Sequence, residues 1–527
     1  MPGIGRATLH RLTSLLLIVG VAGCDLGDPV VRTESGLVRG ISANGAQEFL
    51  GIPYAAPPVG DLRWQPAMPV TPWRGVRDAQ ALPPACAQLA STNGPESIAE
   101  DCLYLSVYRP ARFHGFFERK LPVLIWIHGG GFLNGSGRQQ DASQMASLTH
   151  TIVVMINYRL NVFGFLALPS LSAEASDGSS GNLGLLDQQA AMRWVQRNIA
   201  AFGGDPDHVT IAGESAGGGS VCFHLASPTA AGLFDRAVIQ SGAFDLTLLN
   251  QSAGGPCGTT TLAEAEQNGR VFAASVGCGD SATEAACMRS KSAEELLAAS
   301  TSFAAEVNAS GAVLPVPVLE AIQSDHWNRV PVILGSNHDE LQPTAALTGL
   351  GFPLDPGLYE IAVNVLFGAH APSVLAEYPA TNYSDPAFAL GALLTDTAFA
   401  CPTDKLRALL SSLTPTYGYE FDDPNAPPGV EAGMPSGAYH SADVQYLFAY
   451  TPSLGMLSPD QKALSLEMIR YWGAFADRGR PEVPGAPHWP RFGTESHRIL
   501  SLRPNGSVPI EDFAQFHHCS FWSTLPF

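Results

Sequence analysis

The chain has 527 residues, 46% of them hydrophobic and 15% charged, a balance that supports a large buried core and excludes a disordered chain. Lys plus Arg number 29 and Asp plus Glu 48, for a formal charge of −19. Such a surface repels phosphate backbones and excludes nucleic acid as a partner.

The first predicted element is an address. Arg6 and Arg11 precede an apolar run over residues 12–21. The run is too short to span a bilayer, which takes about 20 residues, and has the length of a signal-peptide core. Val21-Ala22-Gly23-Cys24 resembles a bacterial lipobox. That resemblance implies a signal peptide over residues 1–23, acyl chains on Cys24 and a lipid-anchored tether over residues 24–29. Two or more acyl chains hold a protein stably on a membrane. The expected location is outside the cytoplasm, on a membrane facing the periplasm or the cell exterior. Nine cysteines in an exported chain point to disulfides. With Cys24 lipidated, eight remain, and spacing alone leaves their pairing open.

Residues 30–527 read as a single domain. Short strands are expected over 38–41 and 49–52, and an alternating strand over 103–108. Residues 122–127 and 151–156 are continuously apolar, as central strands covered on both faces are. A helix is expected over 186–202, with Leu186, Ala190, Val195, Ile199 and Phe202 on one face. Gly203-Gly204-Asp205-Pro206 stops it. Strands follow at 208–212, 236–240, 331–335 and 417–421, with a helix beginning near Ala216. The alternation of helices and strands from about 120 to 340 predicts an α/β domain with a mostly parallel sheet. The segments 250–330 and 340–415 are Ala-rich and helical in pattern, suited to lids or pocket walls.

Two motifs carry chemistry. Gly213-Glu214-Ser215-Ala216-Gly217 fits G-x-S-x-G between a predicted strand and helix. A sharp strand-to-helix turn holds such a serine in a strained conformation and needs small neighbours. The helix start behind it favours developing negative charge. His128-Gly129-Gly130-Gly131-Phe132 follows the strand at 122–127. Successive glycines let backbone N–H groups turn inward, so Gly130, Gly131 and Ala216 are the expected oxyanion donors. No Gly-Lys-Ser/Thr follows, which counts against phosphate cradling.

The run Glu-Asp-Cys-Leu-Tyr-Leu at 100–105 resembles a signature of the type-B carboxylesterase/lipase family, which includes the cholinesterases. So do Gly-Asn-Leu-Gly-Leu-Leu-Asp-Gln at 181–188, Phe-Gly-Gly-Asp-Pro at 202–206 and Gly-Glu-Ser-Ala-Gly-Gly at 213–218. The similarity extends over nearly the whole mature chain. It implies an α/β-hydrolase fold, a large mostly parallel sheet with helices on both faces and helical insertions. It implies a serine carboxylic-ester hydrolase that acts through an acyl-enzyme on small to medium esters, with neither metal nor organic cofactor. The family's triad runs Ser, Glu, His. Gly-Ser-Asn-His-Asp-Glu at 335–340 matches the acid segment, which makes Glu340 the acid. Gly-Ala-Tyr-His at 437–440 matches the histidine segment, which makes His440 the base. Residue type alone does not choose His440 over His370, His488, His497, His517 or His518.

The resemblance also implies the disulfides Cys86–Cys102, Cys278–Cys287 and Cys401–Cys519. Cys222 is then expected to be a buried free thiol, and Cys257 is unassigned. Two positions depart from the family, which has glycine where this chain has Leu341 and Ser441. A positive φ at either would add strain of about 1 kcal/mol or more. The loop over 87–101 lacks the tryptophan that cholinesterases use to bind a cation, which argues against that activity. A lipase or polymer esterase with a moving lid, and a non-catalytic adhesion or binding module, are the alternatives; retention of all three triad residues argues against the latter. A histidine base predicts that kcat/KM falls on acidification near about pH 6–7.

Overall fold

The computed structural model describes residues 28–525, apart from 92, 112–118, 246, 248–254, 342–352, 429–436, 451–456 and 494–495. The expected signal peptide, Cys24 and most of the tether lie outside the described residues.

An eleven-stranded mixed sheet dominates the fold. Its strands in chain order are β1 (Ile41–Ala43), β2 (Ala46–Pro53), β3 (Tyr104–Pro110), β4 (Leu121–Ile127), β5 (Ile152–Ile156) and β6 (Gly204–Glu214). They continue as β7 (Arg236–Gln240), β8 (Val332–Asn337), β9 (Thr416–Phe421), β10 (Ile499–Leu502) and β11 (Val508–Ile510). Across the sheet the order is β11-β10-β9-β8-β7-β6-β4-β5-β3-β2-β1. The seven strands from β10 to β5 run parallel, and the flanking pairs are antiparallel.

Strand periodicity divides the core into two layers. Val123, Ile125 and Ile127 of β4 join one apolar cluster, while Leu124 and Trp126 join the other. The first layer is covered by α1 (Leu183–Asn198) and α2 (Ala216–Ala226), through residues such as Trp194, Val195 and Val221. The second is covered by α3 (Pro459–Arg478), through Met468, Trp472 and Phe475. The predicted central strands are therefore present, buried on both faces as their composition requires.

Several boundaries differ from expectation; the strand expected over 38–41 is divided between Gly36–Arg39 and Ile41–Ala43. The helix expected over 186–202 begins at Leu183 and gives way to a 3-10 turn, Ile199–Phe202, closed by Gly203 at φ +89°. β6 begins inside the Gly-Gly-Asp-Pro stop, at Gly204 rather than 208. Pro206 is tolerated there because the pairing with β4 shifts register between Gly204 and Val209, where no ladder bond is needed from it.

The disulfides Cys86–Cys102, Cys278–Cys287 and Cys401–Cys519 are present. Cys222 is not a free thiol: it is bonded to Cys257, with Cα atoms 6.1 Å apart. The chain beyond β7 doubles back over α2, where the Cys257 N–H donates to the Phe244 carbonyl at 3.2 Å. That return path has no periodic signal in the sequence, so Cys222 looked isolated.

Candidate active site

Ser215 stands at the junction of β6 and α2 with φ +56° and ψ −125°. Its N–H donates to the Gln240 carbonyl at 2.9 Å, which pins the turn to β7. The turn is tight because a Cβ on Gly217 would lie 2.0 Å from the Ile127 carbonyl oxygen. Only glycine fits against β4 there. The G-x-S-x-G pattern is thus a packing requirement as well as a chemical one.

The His128–Gly131 loop leaves the end of β4 and passes beside this turn. A Cβ on Gly129 would come within 3.0 Å of the Ser215 Cβ. Gly130 and Gly131 have φ +105° and +62°, left-handed conformations that side chains rarely adopt. Tyr158 fixes the loop from below: its hydroxyl donates to the His128 carbonyl at 2.8 Å, and its ring stacks on the His128 ring at 4.4 Å. Burial drives the His128 pKa down to about 4, so that ring is neutral. Among the described residues the amides of Gly130, Gly131 and Ala216 have no protein acceptor.

His440 lies between Ser215 and Glu340. Its Nε2 is 2.8 Å from Ser215 Oγ, and its Nδ1 is 2.6 Å from Glu340 Oε2. Glu340 is fully buried, and its other oxygen accepts the Asn337 N–H at 2.8 Å. The His440 N–H donates to the Glu340 carbonyl at 3.0 Å, so backbone and side chain are aligned together. The three side chains come from separate segments, with 225 residues between Ser215 and His440 and 100 between Glu340 and His440. His517 and His518 pair with other carboxylates: His517 with Asp396 and Glu420, His518 with Glu377.

A second carboxylate was missed by the sequence reasoning. Glu214, the variable residue of the motif, is buried with Oε1 3.4 Å from His440 Nε2. Ser441 donates its hydroxyl to the same oxygen at 2.6 Å. Burial raises the Glu214 pKa to about 7, against the pull of His440. His440 is raised to about 9: burial works to lower it, and the charges of Glu214 and Glu340 outweigh burial. The two shifts are linked, because a proton on Glu214 removes its attraction for the imidazolium. The direction for His440 is upward, since Glu340 alone stays in direct contact.

Behind the histidine lies a buried polar layer. Gln240 Nε2 donates to Asp443 Oδ2 at 2.7 Å, and Trp472 Nε1 donates to Gln240 Oε1 at 2.9 Å. Tyr419 donates to Asp443 Oδ2 at 3.2 Å. Burial raises the Asp443 pKa to about 6. The Phe399 ring lies 5.0 Å from the His440 ring and packs on its side. Phe399 sits in a π-helical turn, Asp396–Ala400, that no sequence pattern announced.

The two departures from the family resolve differently. Ser441 does adopt a positive φ, +69°, and its hydroxyl bond to Glu214 offsets the strain. Leu341 does not. Its N–H donates to Thr395 Oγ1 at 3.0 Å, and its side chain packs beside the cluster of Tyr359, Val363 and Leu390.

Two acidic residues of the family-like runs lie outside the site and hold the scaffold. Asp187 accepts Arg159 Nε and Nη2, both at 2.7 Å, with both side chains buried. Glu100 accepts Arg63 Nε at 2.6 Å.

The model of the carboxylesterase family matches residues 27–354 and 362–522. The chain is 34% identical to pyrethroid hydrolase Ces2e of Rattus norvegicus, covering 100% of this chain and 94% of that protein. It is 35% identical to fumonisin B1 esterase of Sphingopyxis macrogoltabida, covering 88% and 84%. Among solved structures it is similar to a PNB esterase, with a TM-score of 0.73 and 31% identity over 92% of this chain and 98% of that one.

Proposed function

The chain belongs to the carboxylesterase family and is a serine hydrolase of carboxylic esters with the α/β-hydrolase fold; from that premise we propose that Ser215 is its nucleophile, His440 its base and Glu340 the residue that orients the base. The observation that carries this reading is the unbroken hydrogen-bonded chain from Ser215 Oγ through His440 to Glu340.

His440 Nε2 takes the hydroxyl proton as Ser215 Oγ attacks the ester carbonyl. Glu340, at Nδ1, holds the tautomer and stabilises the imidazolium that forms. The amides of Gly130, Gly131 and Ala216 receive the oxyanion, and the start of α2 adds its positive end. The imidazolium protonates the leaving alcohol. A water then attacks the acyl-enzyme through the same base. The chemistry of these residues needs no metal or organic cofactor. The test is hydrolysis of a short-chain chromogenic ester by the purified protein and by Ser215→Ala. Equal rates would overturn the assignment.

The substrates are small to medium esters in this reading. A second reading, an esterase acting at a lipid or polymer interface, has one observation behind it. The helix Pro356–Phe367 leaves Leu358, Ile361 and Val365 exposed on one side, with Val365 79% exposed. Activation by an emulsified ester would favour it, and a preference for soluble short-chain esters would reject it.

The four disulfides suit an exported protein. The mature chain in this reading starts at Cys24, lipidated and membrane-anchored, with residues 1–23 removed, 24–29 as tether and 30–527 as the hydrolase domain. Supporting it are the short apolar run and the Val21-Ala22-Gly23-Cys24 sequence. Mass spectrometry of the mature N-terminal peptide decides: acylated Cys24 is expected, and an unmodified N-terminus elsewhere rejects the anchor.

A further inference from the structure

On the far side of the Glu340 turn lies a cluster that the ester chemistry does not use. His338 follows β8, Glu420 lies in β9, and His517 lies near the C-terminus between two short helical turns. His338 Nδ1 is 3.0 Å from Glu420 Oε1, and His517 Nε2 is 2.8 Å from the same oxygen. One atom from each residue thus falls within a sphere where all lie within 4.8 Å of one another. Ligand atoms around a tetrahedral zinc-class cation stand roughly 3.3 Å apart, from bond lengths of about 2.0–2.1 Å. The two nitrogen–oxygen gaps would widen slightly and the gap between the ring nitrogens, within 4.8 Å, would settle to that spacing.

The surroundings match what metal-binding histidines require. His517 Nδ1 is held by Asp396 Oδ1 at 2.5 Å, which fixes the ring and leaves Nε2 facing the cluster. Asp396 is itself held by the Tyr378 hydroxyl at 2.5 Å, and that hydroxyl accepts Trp522 Nε1 at 2.7 Å. The Cys401–Cys519 disulfide ties the segment bearing His517 to the helix after Asp396. His517 is thereby oriented by a fixed outer layer, while His338 stands just past β8 and Glu420 in the neighbouring β9. A cavity of about 760 Å³ opens onto His338 and His517, rimmed by Asn382, Ser384 and Gln515. It supplies an entry path and room for water or a small ligand at a fourth position.

We propose that His338, Glu420 and His517 form a second site, separate from the ester-hydrolysing centre, that binds one divalent transition cation of the zinc class. Two nitrogens and one carboxylate oxygen suit zinc, cobalt or nickel better than magnesium or calcium, which prefer all-oxygen shells. Binding needs ring nitrogens free of protons, so it competes with the two hydrogen bonds to Glu420. His338 is two residues from Glu340, so an occupied site would stiffen the turn that carries the catalytic acid.

The experiment is a Co²⁺ titration of chelator-treated full-length protein, followed by visible absorption and thermal melting. Wild type is expected to take up one equivalent of Co²⁺, develop visible bands that Zn²⁺ abolishes, and melt at higher temperature when loaded. His338→Gln is expected to weaken uptake about tenfold or more. His326→Gln, an exposed histidine elsewhere, should leave it unchanged. Should His338→Gln fail a circular-dichroism check of its fold, Glu420→Gln serves in its place, with the same loss expected. Wild-type protein that takes up no stoichiometric Co²⁺, or a folded variant that binds as tightly as wild type, overturns the site. The assignment of Ser215 as nucleophile does not depend on either outcome.

Discussion

The Ser441 hydroxyl reaches Glu214 Oε1 at 2.6 Å across 227 residues of chain, from a backbone position with φ +69°. This bond explains how a side chain occupies a position where left-handed backbone favours glycine. Ser441→Ala keeps the strain and loses the bond; Ser441→Gly loses the bond and relieves the strain. Both variants are expected to be less stable than wild type, with alanine below glycine by about 1 kcal/mol. Chemical denaturation checks the order. An alanine variant as stable as the glycine variant would show that the backbone is not strained.

Glu214 also sets the pH dependence. In the proposed mechanism His440 must be neutral to accept the serine proton, so kcat/KM is expected to rise with pH through its pKa. That pKa is raised to about 9 by neighbouring carboxylates against the effect of burial. The acid limb therefore lies above the ordinary imidazole range of about 6–7 that the sequence alone suggested. Glu214→Gln removes a negative charge 3.4 Å from Nε2, so the limb should move to lower pH by about one unit. A pH profile of kcat/KM with a soluble ester measures it. A limb that stays put or moves upward would contradict the electrostatic role.

The Cys222–Cys257 bond closes a loop of 35 residues between α2 and the chain beyond β7. Replacing both cysteines by serine should cost roughly 3–4 kcal/mol by the loop-entropy relation. Titration of the unfolded, unreduced wild type should find no thiol among the eight cysteines from Cys86 to Cys519. One or two thiols per chain would contradict the pairing.

Arg159 and Asp187 form a buried, doubly bonded pair. Asp187→Ala leaves the guanidinium without its partner and should destabilise the fold by about 3–5 kcal/mol. Thermal melting of the variant tests this. A change within about 0.5 kcal/mol would mean that the arginine finds other partners.

How much of this was legible depended on range. The apolar runs of β4 and β5 announced a doubly covered sheet because strand burial is written locally. Ser215 was visible for the same reason: its turn, its glycines and its helix are consecutive. His440 and Glu340 were not readable from periodicity, since nothing local distinguishes them from His517 or Asp339; a family pattern supplied them. Glu214 was in plain view inside the motif, but its role arises only when Ser441 folds onto it. The register shift that admits Pro206 into β6, and the π-helical turn that sets Phe399 against His440, depend on tertiary packing that propensity does not encode. The capping box that opens α3, Ser458-Pro459-Asp460-Gln461, is local and was nevertheless passed over.

The distances along the chain between Ser215, Glu340 and His440 have a bearing on biogenesis. A polypeptide whose last third is not yet made has Ser215 but no His440 to set beside it. On the proposed triad, ester cleavage therefore waits until His440 has docked on the sheet beside Ser215.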